Sequence, residues 1–242
     1  MAPALLELHD VTKSFGSVQA VEGVSLHLAE GEALGVVGPN GAGKTTVLNL
    51  IAGTARTDRG RIVFDGRDVT RLGSHHRPRL GIARTFQVPR PFGGLTAYEN
   101  VLVAHTYGRR QAGRGSAETA CLDALRTAGL RAKANTVAGT LTLLERKRLE
   151  LARAIVTRPR VLLLDEVAGG LTEPEVNALV ETVRGLRDEG VAIIWIEHIV
   201  HALVSMVDRL VALAMGKLLL EGKPQDVLAS PVLRDVYLGQ EL

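Results

Sequence analysis

The sequence predicts an α/β fold: a mainly parallel central sheet, an N-terminal antiparallel β appendage and an inserted helical subdomain. Three observations predict it. From about residue 33 onward, short apolar runs alternate with helix-like stretches, the pattern of parallel strands joined by crossover helices. Between residues 90 and 158 convincing strands disappear and helical periodicity takes over. Near the start, a glycine-rich run separates an apolar segment from an amphipathic one, as in a strand-loop-helix unit.

Taken in order, residues 5–11, 24–28 and 61–64, the last before the Asp65-Gly66 turn, read as the antiparallel appendage. Residues 33–37 are the first strand of the central sheet. Gly38-Pro39-Asn40-Gly41-Ala42-Gly43-Lys44-Thr45-Thr46 follows it and spells G-x-x-x-x-G-K-[ST]. Its glycines let successive backbone N–H groups turn inward on a polyphosphate, and the helix starting near Gly43 adds its positive dipole end. This makes the core a P-loop NTPase core. Residues 82–86, 161–164, 191–196 and 210–214 complete the central sheet, so two sheets are expected with the nucleotide at their junction.

Within the insert, helices are expected over residues 97–105, 117–130 and 143–156. The loop from Gly108 to Ser116, rich in Gly and Arg, reads as mobile surface. Thr142 with Glu145 and Thr172 with Glu175 form capping boxes, the second with Pro174 near the first helical turn. The whole chain is one domain, with residues 1–89 and 159–242 as the nucleotide-binding core and 90–158 as the helical subdomain.

Composition narrows the function classes. With 242 residues and a formal charge of +3, the chain can bury a large core but carries too little charge to argue for nucleic acid. Cys121 is the single cysteine; no internal disulfide is possible, and no role is assigned to it. No apolar run approaches the roughly 20 residues needed to span a bilayer, and the N-terminus lacks a signal-peptide layout. Membrane association is therefore expected to be peripheral.

The remaining chemistry sits at strand ends. Lys44 is placed to reach the β- and γ-phosphates, and Thr45 to offer its hydroxyl to the bridging Mg²⁺. Residues 161–164 lead into Asp165-Glu166. The first acid suits Mg²⁺, directly or through water, and the second suits polarising the attacking water. Gln87 and His198 also follow predicted sheet strands, where side chains can meet the γ-phosphate and metal. Phe15 offers a flat face to adenine.

In order and spacing this set resembles the ATP-binding subunits of ABC transporters over essentially the whole chain. The match comprises an aromatic A-loop residue at Phe15, Walker A from Gly38 to Thr45, a Q-loop at Gln87, Walker B ending in Asp165-Glu166, and a switch histidine at His198. Gly81-Ile82-Ala83-Arg84-Thr85-Phe86-Gln87, Leu95-Thr96-Ala97-Tyr98-Glu99-Asn100-Val101 and Glu221-Gly222-Lys223-Pro224 look like one of the two ATPase subunits of branched-chain amino-acid importers.

The resemblance implies two subunits sandwiching two ATP molecules, each bound with Mg²⁺, beneath membrane permease subunits. Ala20, Thr46 and, toward the partner, Thr142 join the nucleotide-binding set; Thr45, Gln87 and Asp165 are the metal set; Lys44, Gln87, Glu166 and His198 are the catalytic set. Residues 84–98 are the expected permease surface. A lipid or lipopolysaccharide exporter subunit, or a soluble non-transport ABC ATPase, is the alternative.

Two departures stand out. The family signature Leu-Ser-Gly-Gly-Gln is replaced by Leu141-Thr142-Leu143-Leu144-Glu145, and the D-loop aspartate by Thr172. Thr142 keeps the hydroxyl at the helix start, but Leu144 adds bulk and Glu145 would repel phosphate unless turned back into its capping box. This chain's own cradle is expected to be intact and its contribution to the partner's site weakened, which favours a heterodimer over a homodimer.

Overall fold

The computed structural model describes residues 4–108 and 116–238. In chain order the elements are β1 (Ala4–Phe15), β2 (Val18–Ala29), β3 (Ala33–Val37), α1 (Lys44–Ile51), β4 (Arg59–Phe64), β5 (Arg67–Asp68), α2 (Arg77–Leu80) and β6 (Ile82–Arg84). The helical insert carries α3 (Ala97–Tyr107), α4 (Ala117–Thr127) and α5 (Leu143–Ile155). The chain then returns through β7 (Val161–Asp165), α6 (Glu173–Asp188), β8 (Ala192–Ile196), α7 (Val200–Val204), β9 (Arg209–Ala214), β10 (Lys217–Gly222), α8 (Pro224–Ala229) and α9 (Pro231–Leu238).

Two sheets form, as expected. The central one has the order β10-β9-β3-β8-β7-β6 and is parallel except for its edge strand β10, which pairs antiparallel with β9. The other runs β2-β1-β4-β5, with β1 antiparallel to both β2 and β4. Strands β3, β7 and β8 are buried at every residue, which is why they read as unbroken apolar runs.

Their alternate side chains feed two cores. Leu34, Val36, Ile194 and Ile196 pack with Leu6, Leu8, Leu28 and α1 between the sheets, while Leu162, Leu164, Ile193 and Trp195 pack against α6 and α7 on the far face. Helix α1 thus sits wedged between the sheets, and the loop before it opens at their junction.

Helices α3, α4 and α5 enclose an apolar core of their own, built on Val101, Leu125, Leu130 and Leu149. Asn100, fully buried, ties their N-terminal approach by accepting from Phe92 N–H and donating to the Phe92 and Thr96 carbonyls.

Several boundaries move. The strand expected over 82–86 ends at Arg84, although Thr85 N–H still donates to Leu163 O at 2.9 Å. The first strand runs on to Phe15 by absorbing irregularities around Asp10, whose φ is 49°. The helix expected over 117–130 stops at Thr127, ahead of Gly129 at φ 71°, a left-handed position that ends helices.

Strand β10 went unread because its Leu-rich run follows a Met215-Gly216 turn that carries no strong hairpin signal. Both expected capping boxes form, and a third, Thr96 with Glu99, starts α3. The Gly- and Arg-rich loop expected over 108–116 lies, for residues 109–115, outside the described residues. Among the described residues no helix is long and apolar enough to cross a membrane.

Candidate active site

The glycine-rich loop leaves the end of β3 and closes onto α1. Two of its glycines are required by contact. A Cβ on Gly38 (φ 149°) would lie 2.1 Å from Leu213 O, and one on Gly43 (φ 96°) would lie 2.3 Å from Ala20 O. The loop is therefore seated against the β9–β10 hairpin on one side and β2 on the other. Gly216 N–H fastens it further by donating to Ala42 O at 3.2 Å.

Lys44 opens α1 and is 7% exposed. Its Nζ donates to Gly38 O at 2.6 Å and Pro39 O at 2.9 Å, folding the ammonium across the mouth of its own loop. Burial lowers its pKa, and the nearby carboxylates of Glu166 and Asp165 oppose that shift. An ammonium with two neutral carbonyl partners is ready to exchange them for phosphate oxygens, which make stronger, charge-assisted bonds.

A cleft of about 420 Å³ opens here, lined by Asn40 to Thr46, Val18, Gln19, Ala20, Glu166 and Met215. It lies between β2 and the loop, at the junction of the two sheets. Ala20 falls where it was expected. Phe15 does not line the cleft; it is 53% exposed at the hairpin end of β1, with Lys13 Nζ 5.2 Å from its ring centroid. Val18 and Met215, 65% and 87% exposed, add apolar surface that no motif in the sequence marked.

Asp165 ends β7 and Glu166 follows. The parallel register Asp165↔Ile196 brings β7 and β8 to the same level, so Glu166 emerges beside Glu197 and His198. Asp165 is 2% exposed, with Oδ1 3.4 Å from Thr45 Oγ1 and Oδ2 accepting from Arg84 Nη2 at 2.8 Å. Glu166, at φ 47°, turns toward the cleft. Its Oε1 lies 2.7 Å from His198 Nε2, and its Oε2 accepts from Gln87 Nε2. Gln87, expected at the metal, is placed on Glu166 instead.

Three of the four expected catalytic residues thus meet at one carboxylate. The hydroxyl of Thr45 facing Asp165 is an all-oxygen pair, the donor type Mg²⁺ takes when substrate phosphates complete its shell. Mg²⁺ therefore fits the residues present.

Behind this cluster lies a second layer that sequence reading missed. Lys147 of α5 and Glu197, 6% and 3% exposed, clamp the backbone just after Glu166. Lys147 Nζ donates to Val167 O at 2.8 Å, and Glu197 Oε1 accepts from Ala168 N–H at 2.6 Å. In sequence Glu197 stands only as the neighbour of His198, and Lys147 carries no assignment; their burial beside Glu166 reveals what they hold.

Burial raises the Glu197 carboxyl above its ordinary 4.5, against the lowering effect of the Ala168 and His198 N–H groups. A carboxyl raised in the folded state contributes stability that is full below the unfolded pKa and lost as pH climbs through the folded one. Glu197→Gln, fixed neutral, should therefore gain on the wild type in melting temperature as pH rises from roughly 4 to 7. A difference in melting temperature that stays constant across that range would remove the claim.

Thr142 sits apart from the cleft, at the start of α5. Its Oγ1 accepts from Glu145 N–H at 3.3 Å, and its own N–H donates to Glu145 Oε2 at 2.9 Å. Glu145 is thus turned back into the capping box, and Lys133 Nζ stands 3.4 Å from its other oxygen. The repulsion expected from this carboxylate is neutralised locally. Thr172 likewise spends both its N–H and its hydroxyl on Glu175.

Residues 21–169 match the family model described as ABC transporter. The chain is 37% identical over 255 residues to the high-affinity branched-chain amino acid transport ATP-binding protein BraF of Pseudomonas aeruginosa, covering 99% of this chain and 100% of that one. It is 36% identical over 239 residues to the lipopolysaccharide export system ATP-binding protein LptB of Acidithiobacillus ferridurans, covering 98% of each. Among solved structures, the ADP conformation of an ATP-binding cassette of an ABC transporter superposes with a TM-score of 0.89 at 27% identity over 99% of this chain and 100% of that one. A dimeric bacterial ABC transporter cassette gives 0.82 at 26% over 90% and 98%.

Proposed function

The chain belongs to the ABC transporter ATP-binding family, and from that premise we propose that it is the ATP-hydrolysing motor of a membrane importer for branched-chain amino acids or related small polar solutes. It is an ABC ATPase and it binds nucleotide. The observation that carries the mechanism is the convergence of Gln87 and His198 on Glu166 beside the Lys44 loop.

In this reading the loop from Gly38 to Thr46 cradles the phosphates, and Lys44 releases the Gly38 and Pro39 carbonyls to bind the terminal ones. Val18, Ala20 and Met215 flank the base; Phe15, outside the cleft at the hairpin end of β1, would have to swing inward to stack on it. Thr45 and Asp165 would hold Mg²⁺, which when bound spreads the charge of the β- and γ-phosphates. Glu166 polarises the attacking water; His198 and Gln87 fix the orientation of its two oxygens.

ABC ATPases of this kind act as dimers with permease subunits. Residues 1–89 and 159–242 work as the nucleotide core and 90–158 as the helical unit, tied to Glu166 by Lys147. The groove between them, walled by His75, Arg79, Phe86, Tyr107, Glu150 and Arg153, suits a short helix of the permease; it borders the 84–98 surface expected from sequence and shares Arg84 and Phe86 with it. Phe86, Val88 and Phe92 are 38%, 67% and 49% exposed there.

The exporter reading keeps support from the 36% identity to a lipopolysaccharide export ATPase. The importer is favoured by the match to BraF over its full length.

Because Leu144 replaces glycine and Thr172 is engaged in capping α6, the working dimer is a heterodimer with a subunit of complete signature. Phosphate release measured on the purified chain alone and after mixing with a candidate second ATPase subunit tests this. Turnover should rise at least about tenfold on mixing, since each site needs the partner's helix start at its γ-phosphate. Equal turnover from the chain alone would overturn the heterodimer, and no phosphate release in either case would overturn the motor.

A further inference from the structure

Arg84 has no part in the phosphate-binding, metal or catalytic sets above, yet it is among the most deeply engaged charged groups of the site. It ends β6 with a side chain 9% exposed. Its Nη2 donates to Asp165 Oδ2 at 2.8 Å, and its Nη1 donates to Asn49 Oδ1 on α1 at 2.5 Å. One planar fork thereby joins the helix after the phosphate loop to the carboxylate that closes β7. Three residues on lies Gln87, so the same strand end also carries the side chain that meets Glu166.

We propose that Arg84 is a positioning residue that keeps a divalent cation out of the Asp165 site until nucleotide phosphates arrive. This rests on the reading of Asp165 as the metal-site carboxylate. The first argument is geometric: Arg84 takes Oδ2 and leaves Oδ1 toward Thr45, so one oxygen alone is offered to an incoming ion.

The second argument is charge. Before phosphate binds, the carboxylates of Asp165, Glu166 and Glu197 stand against the cations of Lys44, Lys147 and Arg84, so the cluster holds no net negative charge. A cation that needs one or two carboxylates plus substrate phosphates finds no net attraction there. Phosphates tip the balance, and the cation enters with them. The third is chemical type. A guanidinium cannot lose its proton and its fork is rigid, so the share of this neutralisation that Arg84 supplies is not lost by deprotonation.

Mn²⁺ is the probe, its binding read by electron paramagnetic resonance on purified protein without nucleotide and with ADP, and thermal melting establishes that each variant is folded. The wild type should bind Mn²⁺ with ADP and at least about tenfold more weakly without it. Arg84→Met should bind Mn²⁺ without nucleotide at least about tenfold tighter than the wild type, because an uncancelled carboxylate charge remains. Arg84→Lys, which keeps the charge, should restore exclusion.

Equal nucleotide-free affinity in folded Arg84→Met and wild type would overturn the proposal. Should Arg84→Met fail to fold, the wild type still decides: Mn²⁺ bound as tightly without ADP as with it overturns the proposal. If Mn²⁺ does not bind even with ADP, the metal reading of Asp165 falls first, and Arg84's role with it.

Discussion

Lys44→Ala should abolish detectable Mg-ATP binding in calorimetry while leaving the fold in place. Lys44 brings its ammonium to the mouth of the phosphate loop, where Nζ donates to the Gly38 and Pro39 carbonyls. Exchanging those neutral acceptors for phosphate oxygens gains charge-assisted hydrogen bonds worth about 1.5–3 kcal/mol each. Loss of two such bonds weakens binding by roughly a hundredfold or more.

The fold should tolerate the change, because burial already disfavours the charged amine and the loop is anchored by Gly38 against Leu213 and Gly43 against Ala20. A melting temperature within a few degrees of the wild type is the control. An affinity within threefold of the wild type would show that the loop is a turn without a phosphate ligand, and the motor reading would end there.

The order of elements was legible because each central strand is buried on both faces and so reads as an apolar run, Ala33–Val37 and Val161–Asp165 most plainly. The site was legible where chemistry demands fixed spacing. The glycines, Lys44 and Thr45 must follow one strand, and Asp165-Glu166 must close another. His198 and Gln87 were recognisable only as strand-end residues; that both meet Glu166 depends on the sheet register, which no local pattern encodes.

The contacts of Arg84, Lys147 and Glu197 were not legible for the same reason. Each acts through a partner far away in sequence: Arg84 through Asp165, Lys147 through Val167, Glu197 through Ala168. A charged residue in a strand or helix reads as solvated surface until packing shows it buried. Val18 and Met215 escaped because apolar side chains at hairpin turns carry no spacing rule. The β10 strand escaped because an edge strand beside a Met-Gly turn alternates only weakly between buried and exposed positions.

The change of Glu166→Gln tests the other half of the mechanism, and it separates binding from chemistry where Lys44→Ala cannot. The substitution keeps the volume at φ 47°, and Oε1 can still accept from His198. The second oxygen becomes an amide facing the Gln87 amide, a donor against a donor, but Gln87 can rotate its own amide to present oxygen. The local network therefore survives, while the carboxylate that takes up charge from the attacking water is gone.

Turnover should fall by about two to four orders of magnitude, the range for loss of a positioned general base. Affinity for ATP should hold or rise, because one negative charge leaves the neighbourhood of the phosphates. If the motor proposed above closes as a dimer on ATP and reopens after hydrolysis, those two effects together should accumulate the closed state. With Mg-ATP and its partner subunit, the variant should elute as a stable dimer in size-exclusion chromatography, and the wild type should not. Undiminished phosphate release by Glu166→Gln would take the catalytic role from this carboxylate and leave Gln87 and His198 gathered around a residue with no reaction to serve.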